Sequence, residues 1–129
     1  PIYTQFKNKP KEAIKHLRKM KKGEAISALY RSDIGYVDIV WGENEIKTNK
    51  GFGLKHIIEK HGNEIKKLGY SIDSFLSIAL QEGSINKNKS KKNKIVIESR
   101  LFRVIIQEKW NGKPKQWLLS AFNIIKKPK

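Results

Sequence analysis

Apolar side chains recur along this chain with two different periods, and the change from one to the other divides it. In PKEAIKHLRKM (10–20) Ala13, Ile14 and Leu17 stand three and four apart, with Lys11, Lys15, Arg18 and Lys19 on the opposite side. That spacing predicts an amphipathic helix, and Gly23 predicts its end. EAISALYR (24–31) and GYVDIVWG (35–42) read as two strands joined around Ser32 and Asp33, whereas residues 1–8 and the stretch ENEIKTNKG read as irregular. GFGLKHIIEKHG (51–62) predicts a short helix that Gly62 ends, followed by a further turn over NEIKKLG. SIDSFLSIALQEG (71–83) predicts another helix with Ser71 or Asp73 as its cap. From KIVIES through LFRVIIQEKW to KQWLLSAFNII the period becomes two, the mark of strands. Helices mostly first and antiparallel strands mostly last predict an α+β fold.

Asn111-Gly112 lies between the last two of these strands and predicts a two-residue type I′ hairpin. A tight turn there sets Trp110 opposite Lys113, Lys109 opposite Pro114, Glu108 opposite Lys115, Ile106 opposite Trp117 and Arg103 opposite Ser120. Phe102, Val104, Ile106, Trp117, Leu119 and Ala121 then form a core face. The other face carries Leu101, Arg103, Ile105, Gln107, Gln116, Leu118, Ser120 and Phe122. A guanidinium beside a hydroxyl, flanked by two glutamines, is a candidate anion site. The same pattern also fits an arginine whose stem covers a half-exposed sheet.

Composition narrows the chemistry. The chain has 129 residues, enough for one domain, here taken as 1–129. It contains no cysteine, which excludes disulfides, thiolate metal sites and cysteine nucleophiles. No apolar run reaches the 18 or so residues of a membrane span and no secretory segment opens the chain, so membrane anchoring is not expected. Pro1 indicates either a trimmed initiator Met or a piece of a longer protein. Lys and Arg number 28 against 12 Asp and Glu, a net charge of +16. Such a field suits a polyanionic partner, RNA, DNA or anionic lipid, or simple solubility. The run NKNKSKKNK (86–94) predicts a mobile cationic loop in which Lys87, Lys89, Lys91, Lys92 and Lys94 are candidate phosphate contacts.

Two of the three histidines, His56 and His61, lie five apart in the predicted helix. On an α-helical wheel they are about 140° apart, with His61 on the apolar stripe of Leu54, Ile57 and Ile58, and His56 beside Lys60. Zinc pairs on a helix stand four apart on one face, so neither a metal nor another cofactor is expected. His61 reads either as a buried neutral imidazole or as an acid–base group. His56 reads either as a solvent-exposed ring or as such a group, and His16 as a surface residue.

Four blocks in order, DIVWG (38–42), GFGLKHIIEKH (51–61), FRVII (102–106) and WLLSAF (117–122), resemble the phage-type Barnase–EndoU–colicin–RelE-like nucleases, a toxin-domain family also described as barnase–colicin endoribonucleases. The resemblance covers residues 24–125; residues 1–23, the basic N-terminal helix, carry no motif of the family. It implies N-terminal helices packed on a C-terminal four-stranded antiparallel sheet. It also implies a metal-independent endoribonuclease, with tRNA as the expected target and 2′,3′-cyclic phosphate ends as the product. His56, His61, Lys60 and Arg103 match the family's site residues, and Ser120 keeps a hydroxyl where many relatives have Thr. Within that reading Lys87, Lys89, Lys91, Lys92, Lys94, Gln107 and Gln116 would contact RNA. The expected partner is an acidic immunity protein, the expected place of action the bacterial cytoplasm, and the expected parent a phage or secreted toxin. The competing reading is a non-catalytic basic module that binds nucleic acid or another protein.

Overall fold

The computed structural model describes residues 1–45 and 50–125. Helix α1 (Pro10–Met20) begins with proline at its first position, where the missing N–H costs nothing, and ends at Lys21 in the left-handed region, φ 54°. Ala13, Ile14 and Leu17 are fully buried, as their spacing predicts. Strands β2 (Glu24–Arg31) and β3 (Gly35–Val40) form an antiparallel pair. The segment read as irregular at the start contributes a short strand, β1 (Ile2–Tyr3), parallel to β2. His16 is not a free surface residue: its ring packs against Tyr3 at 4.4 Å and Phe6 at 5.2 Å.

The described ends of ENEIKTNKG pair as β4 (Glu43–Glu45) and β5 (Lys50–Phe52); residues 46–49 of that predicted loop lie outside the described residues. Helix α2 (Gly53–His56) passes into a π-helical turn (Ile57–His61) and on into α3 (Gly62–Lys67). Gly62 therefore does not end the helix; its φ of −58° and ψ of −41° are helical. Termination falls at Leu68, where Gly69 takes φ 91°. Helix α4 (Ile72–Glu82) is capped by Ser71, whose hydroxyl accepts from the Ser74 amide at 3.3 Å. Strands β6 (Ser84–Ile85), β7 (Lys94–Glu98), β8 (Phe102–Trp110) and β9 (Lys113–Asn123) complete the chain.

Strands β6, β7, β8 and β9 pair antiparallel in series, but within a larger sheet than the four-stranded one that the resemblance implies. With β1, β2 and β3 they form one mixed seven-stranded sheet in the order β1-β2-β3-β9-β8-β7-β6, alongside the two-stranded β4-β5 ribbon. The join is a parallel contact of β3 with β9 at Asp38 and Trp117. Side chains secure it. Lys115 Nζ reaches Asp38 Oδ2 at 2.5 Å and Glu24 Oε1 at 3.0 Å, and Gln116 Nε2 donates to the carbonyls of Ile34 and Tyr36 at 2.9 Å each. Burial opposes the charge on Lys115, but the hydrogen bonds and charges of Asp38 and Glu24 outweigh it and raise its pKa. Lys115 thus serves this junction instead of pairing with Glu108 across the hairpin. One apolar cluster runs from α1 and α4 to the inner face of β8 and β9, joining Leu17, Phe75, Phe102, Ile106 and Leu118.

The hairpin begins as predicted. Asn111 and Gly112 take φ 50° and 78°, the left-handed pair of a type I′ turn, and Lys109 faces Pro114. Two irregularities in β9 then shift the register. Gln107 faces Trp117, Ile106 faces Leu118, and beyond a second slip Ile105 faces Ser120 and Arg103 faces Phe122. Each slip adds one residue to β9. Between them the faces invert: Leu118 is buried in the core and Leu119 turns outward. After the second slip the predicted faces return, which leaves Ser120 and Phe122 on the same side as Arg103 and Ile105.

Candidate active site

The π-turn determines what the histidines can do together. Its hydrogen bonds close i→i+5, so residues five apart come nearly over one another, where an α-helix would splay them. The rings of His56 and His61 accordingly meet edge to face, with centroids 5.6 Å apart. His56 is only 6% exposed, not a solvent-facing ring. Both line a cleft of about 430 Å³ with Lys50, Lys60, Leu119 and Ser120. The cleft lies where the helix packs on β9, and Ile105 and Phe122 close its sheet side.

The GFG motif sets the helix in place. Gly53 has φ 80°, a left-handed conformation for the tight step from β5 into α2, and a Cβ there would meet the carbonyl oxygens of Val40 and Trp41 at 2.8 and 3.0 Å. A Cβ on Gly51 would collide with the His56 ring. The amide of Lys55 donates to the Trp41 carbonyl at 2.8 Å, tying the first helical turn to the end of β3. Phe52 between the two glycines packs on Trp110 and Trp117, 5.7 Å from each.

Each imidazole is oriented by a partner at Nδ1. The His56 Nδ1 stands 3.0 Å from Asn44 Oδ1, and the Asn44 amide nitrogen donates to Glu59 Oε1 at 3.2 Å. With the amide so turned, Nδ1 of His56 carries the proton and donates, leaving Nε2 with a lone pair. The Nδ1 of His61 donates to Glu64 Oε1 at 2.8 Å. Desolvation, followed by the charges of His61 and Lys60, lowers the pKa of His56 from 6.5. Desolvation also lowers that of His61, against the opposing pull of Glu64. Two neighbouring imidazoles thus differ in one respect: only His61 has a carboxylate to stabilise its charged form.

Ser120 sits at the floor of the cleft. Its Oγ is buried and has no hydrogen-bond partner among the described residues. Lys60 is exposed at the rim. Arg103 stands apart from these four. Its Nε donates to Glu98 Oε2 at 2.5 Å, and its guanidinium lies 5.7 Å from the centre of the Phe122 ring, on which His61 stacks at 5.2 Å. Gln116 is engaged at the β3 junction, and Gln107 pairs in the ladder with Lys94 and Trp117; neither lines the cleft. The 86–94 loop is folded back on itself. Asn86 Oδ1 accepts from the amides of Asn88 and Lys89, and Ser90 Oγ accepts from the Val96 amide. Lys87, Lys91 and Lys92 are exposed on it.

Asn44, Glu59 and Glu64 do not stand out in the sequence. Glu64 could have been noticed three residues after His61, on the same helical side. Asn44 reaches His56 from a different element, and no local signal marks it. Among the described residues no three His, Asp or Glu side chains gather as a metal site, and no helix is long and apolar enough to cross a membrane.

A cleft with two imidazoles, two ammonium groups and a hydroxyl on a strongly cationic α+β scaffold has the makings of acid–base attack on a phosphodiester. Residues 28–128 match the family described as phage-Barnase-EndoU-ColicinE5/D-RelE like nuclease1, and the chain belongs to it. It is a nuclease of that type. No curated protein and no solved structure matches the chain.

Proposed function

We propose that the protein is a metal-independent endoribonuclease. The observation that carries this reading is the convergence of His56 and His61, 5.6 Å apart, on one cleft with Lys60 and Ser120. Cleavage of RNA without a metal uses the substrate's own 2′-hydroxyl, so the protein need only move two protons and hold a charged phosphorane. His56, neutral and with Nε2 free, takes the 2′-hydroxyl proton. The O2′ then bonds to phosphorus as the bond from phosphorus to O5′ breaks. His61, its charged form supported by Glu64, gives its Nε2 proton to O5′. The products are a 2′,3′-cyclic phosphate and a 5′-hydroxyl. Lys60 neutralises charge on the non-bridging oxygens. Ser120 adds a hydrogen bond once its hydroxyl rotates from the floor into the cleft, a change between staggered rotamers.

The charge of +16 supports RNA as the polyanionic substrate and an acidic protein as the inhibitor that would protect a producing cell. Action in the bacterial cytoplasm, as the toxin part of a phage or secreted protein, is consistent with such a substrate. The test uses purified protein, excess EDTA and total tRNA. Cyclic phosphate ends are expected, and loss of cutting in EDTA, or full activity in a His56→Ala, His61→Ala double variant, would overturn the reading.

A further inference from the structure

Beside the histidine cleft lies a second hollow that the chemistry above does not use. It encloses about 300 Å³ and is lined by four cations, Lys89, Lys91, Lys94 and Arg103. Ile105 is a wall of both hollows. Arg103 and His61 each contact the ring of Phe122, at 5.7 and 5.2 Å, so a single phenyl group stands between guanidinium and imidazole. Glu98 fixes the arginine by its Nε edge at 2.5 Å. The terminal nitrogens of Arg103 have no protein partner among the described residues. Glu98 also accepts from Asn86 and from Lys89, at 2.5 and 3.3 Å. Lys91 and Lys94 have no acidic partner among the described residues. One carboxylate therefore faces four cations, and its main effect is to hold Arg103 and Lys89 in place.

We infer that this hollow receives a phosphate adjacent to the scissile one, so that Arg103, Lys91 and Lys94 bind the substrate strand and not the reacting bond. The inference rests on the ribonuclease reading. RNA carries one charged phosphate per nucleotide, and phosphate contacts position a strand without reading its sequence. A strand whose scissile phosphate lies between the imidazoles brings its neighbour within reach of a guanidinium one ring away. Permanent charge suits that task, because a phosphate that does not react needs no proton transfer.

The experiment compares a dinucleoside monophosphate, which has only the scissile phosphate, with trinucleotides extended at the 5′ or the 3′ side. One extension should raise kcat/KM of the wild-type protein. Arg103→Ala should remove roughly 10- to 100-fold of activity on that trinucleotide, the worth of a charged hydrogen bond, and leave the dinucleotide little changed. The double variant Lys91→Ala, Lys94→Ala, which takes nothing from the apolar core, should reduce the same advantage. It should also flatten the salt dependence by about 0.7 in log–log slope for each phosphate that is no longer neutralised. An equal loss on both substrates in Arg103→Ala would place the arginine on the scissile phosphate and overturn the inference. Absence of any benefit from extension would overturn it too. An inactive wild type on tRNA would instead sink the ribonuclease reading itself, so the two failures are told apart by the control.

Discussion

The two hollows on either side of Ile105 hold basic groups of different kinds, and their surroundings differ to match. In the histidine cleft the two imidazoles are titratable and poorly solvated, and burial lowers the pKa of both, while Lys50 and Lys60 are the exposed cations of its lining. In the loop hollow the basic groups are permanently charged and open to water, and the one carboxylate there, Glu98, is held down to about 2 by Asn86, Arg103 and Lys89. Proton transfer needs a group whose two states are close in energy, which imidazole supplies by its nature; desolvation favours the neutral form of both rings, and Glu64 gives back part of the charged form to His61. Holding a phosphate needs a charge that never leaves, which arginine and lysine supply at the surface. The sheet keeps these two environments one side chain apart.

The sharpest way to break this contrast is to remove an imidazole. His56→Ala and His61→Ala should each lower single-turnover cleavage by roughly 100- to 10,000-fold, with the circular dichroism spectrum unchanged. A fully active single variant would mean that its ring is structural. Next in size is Ser120→Ala. Its hydroxyl has no partner to lose, so thermal stability should hold or rise. Activity should nonetheless fall roughly 10- to 100-fold, the value of one hydrogen bond to a charged group. Lost stability with intact activity would deny the hydroxyl a place at the phosphate.

A pH profile sharpens the assignment of base and acid. Both histidines have lowered pKa values, so kcat/KM, which reports the free enzyme, should peak on the acid side of 6.5. A bound phosphate stabilises imidazolium, so the profile of kcat should sit at higher pH. Glu64 raises the pKa of His61. Glu64→Gln should therefore move the alkaline limb, where the general acid loses its proton, to lower pH and leave the acid limb in place. Movement of the acid limb alone would exchange the roles of the two histidines. The smallest effect belongs to the loop. Replacing Lys87, Lys89, Lys91, Lys92 and Lys94 by neutral residues should flatten the salt dependence of binding while the cleavage rate of saturated substrate changes little. An unchanged slope would mean that the loop does not meet the nucleic acid.

Much of the scaffold is legible from local pattern. The burial of Ala13, Ile14 and Leu17, the Ser71 cap and the Asn111-Gly112 turn all follow from spacing and backbone preference within a few residues. What is not legible depends on partners far along the chain. Nothing near Lys115 announces Glu24 and Asp38, yet these draw it to β3 and accompany the first slip in β9. The parallel join of β3 to β9, which merges the N-terminal and C-terminal strands into one sheet, is invisible for the same reason. Candidate site residues are legible by type, and four of them do share a cleft. Their geometry is not, because a helical wheel assumes a uniform turn and the turn between the histidines is not uniform. The hairpin predicts Arg103 beside Ser120; the extra residues in β9 place it opposite Phe122 and so toward the neighbouring hollow.

A π-turn holds one residue more than the α-helix around it needs. A chain shortened by one residue there, at Glu59 for example, could close the segment with ordinary i→i+4 bonds, at the loss of the hydrogen bond that Glu59 accepts from Asn44. Its histidines would then stand four apart, again neighbours on one side, and at the interval that suits a shared divalent ion. The length of this helix thus separates two chemistries by a single codon, and zinc affinity of such a shortened chain would measure how narrow that separation is.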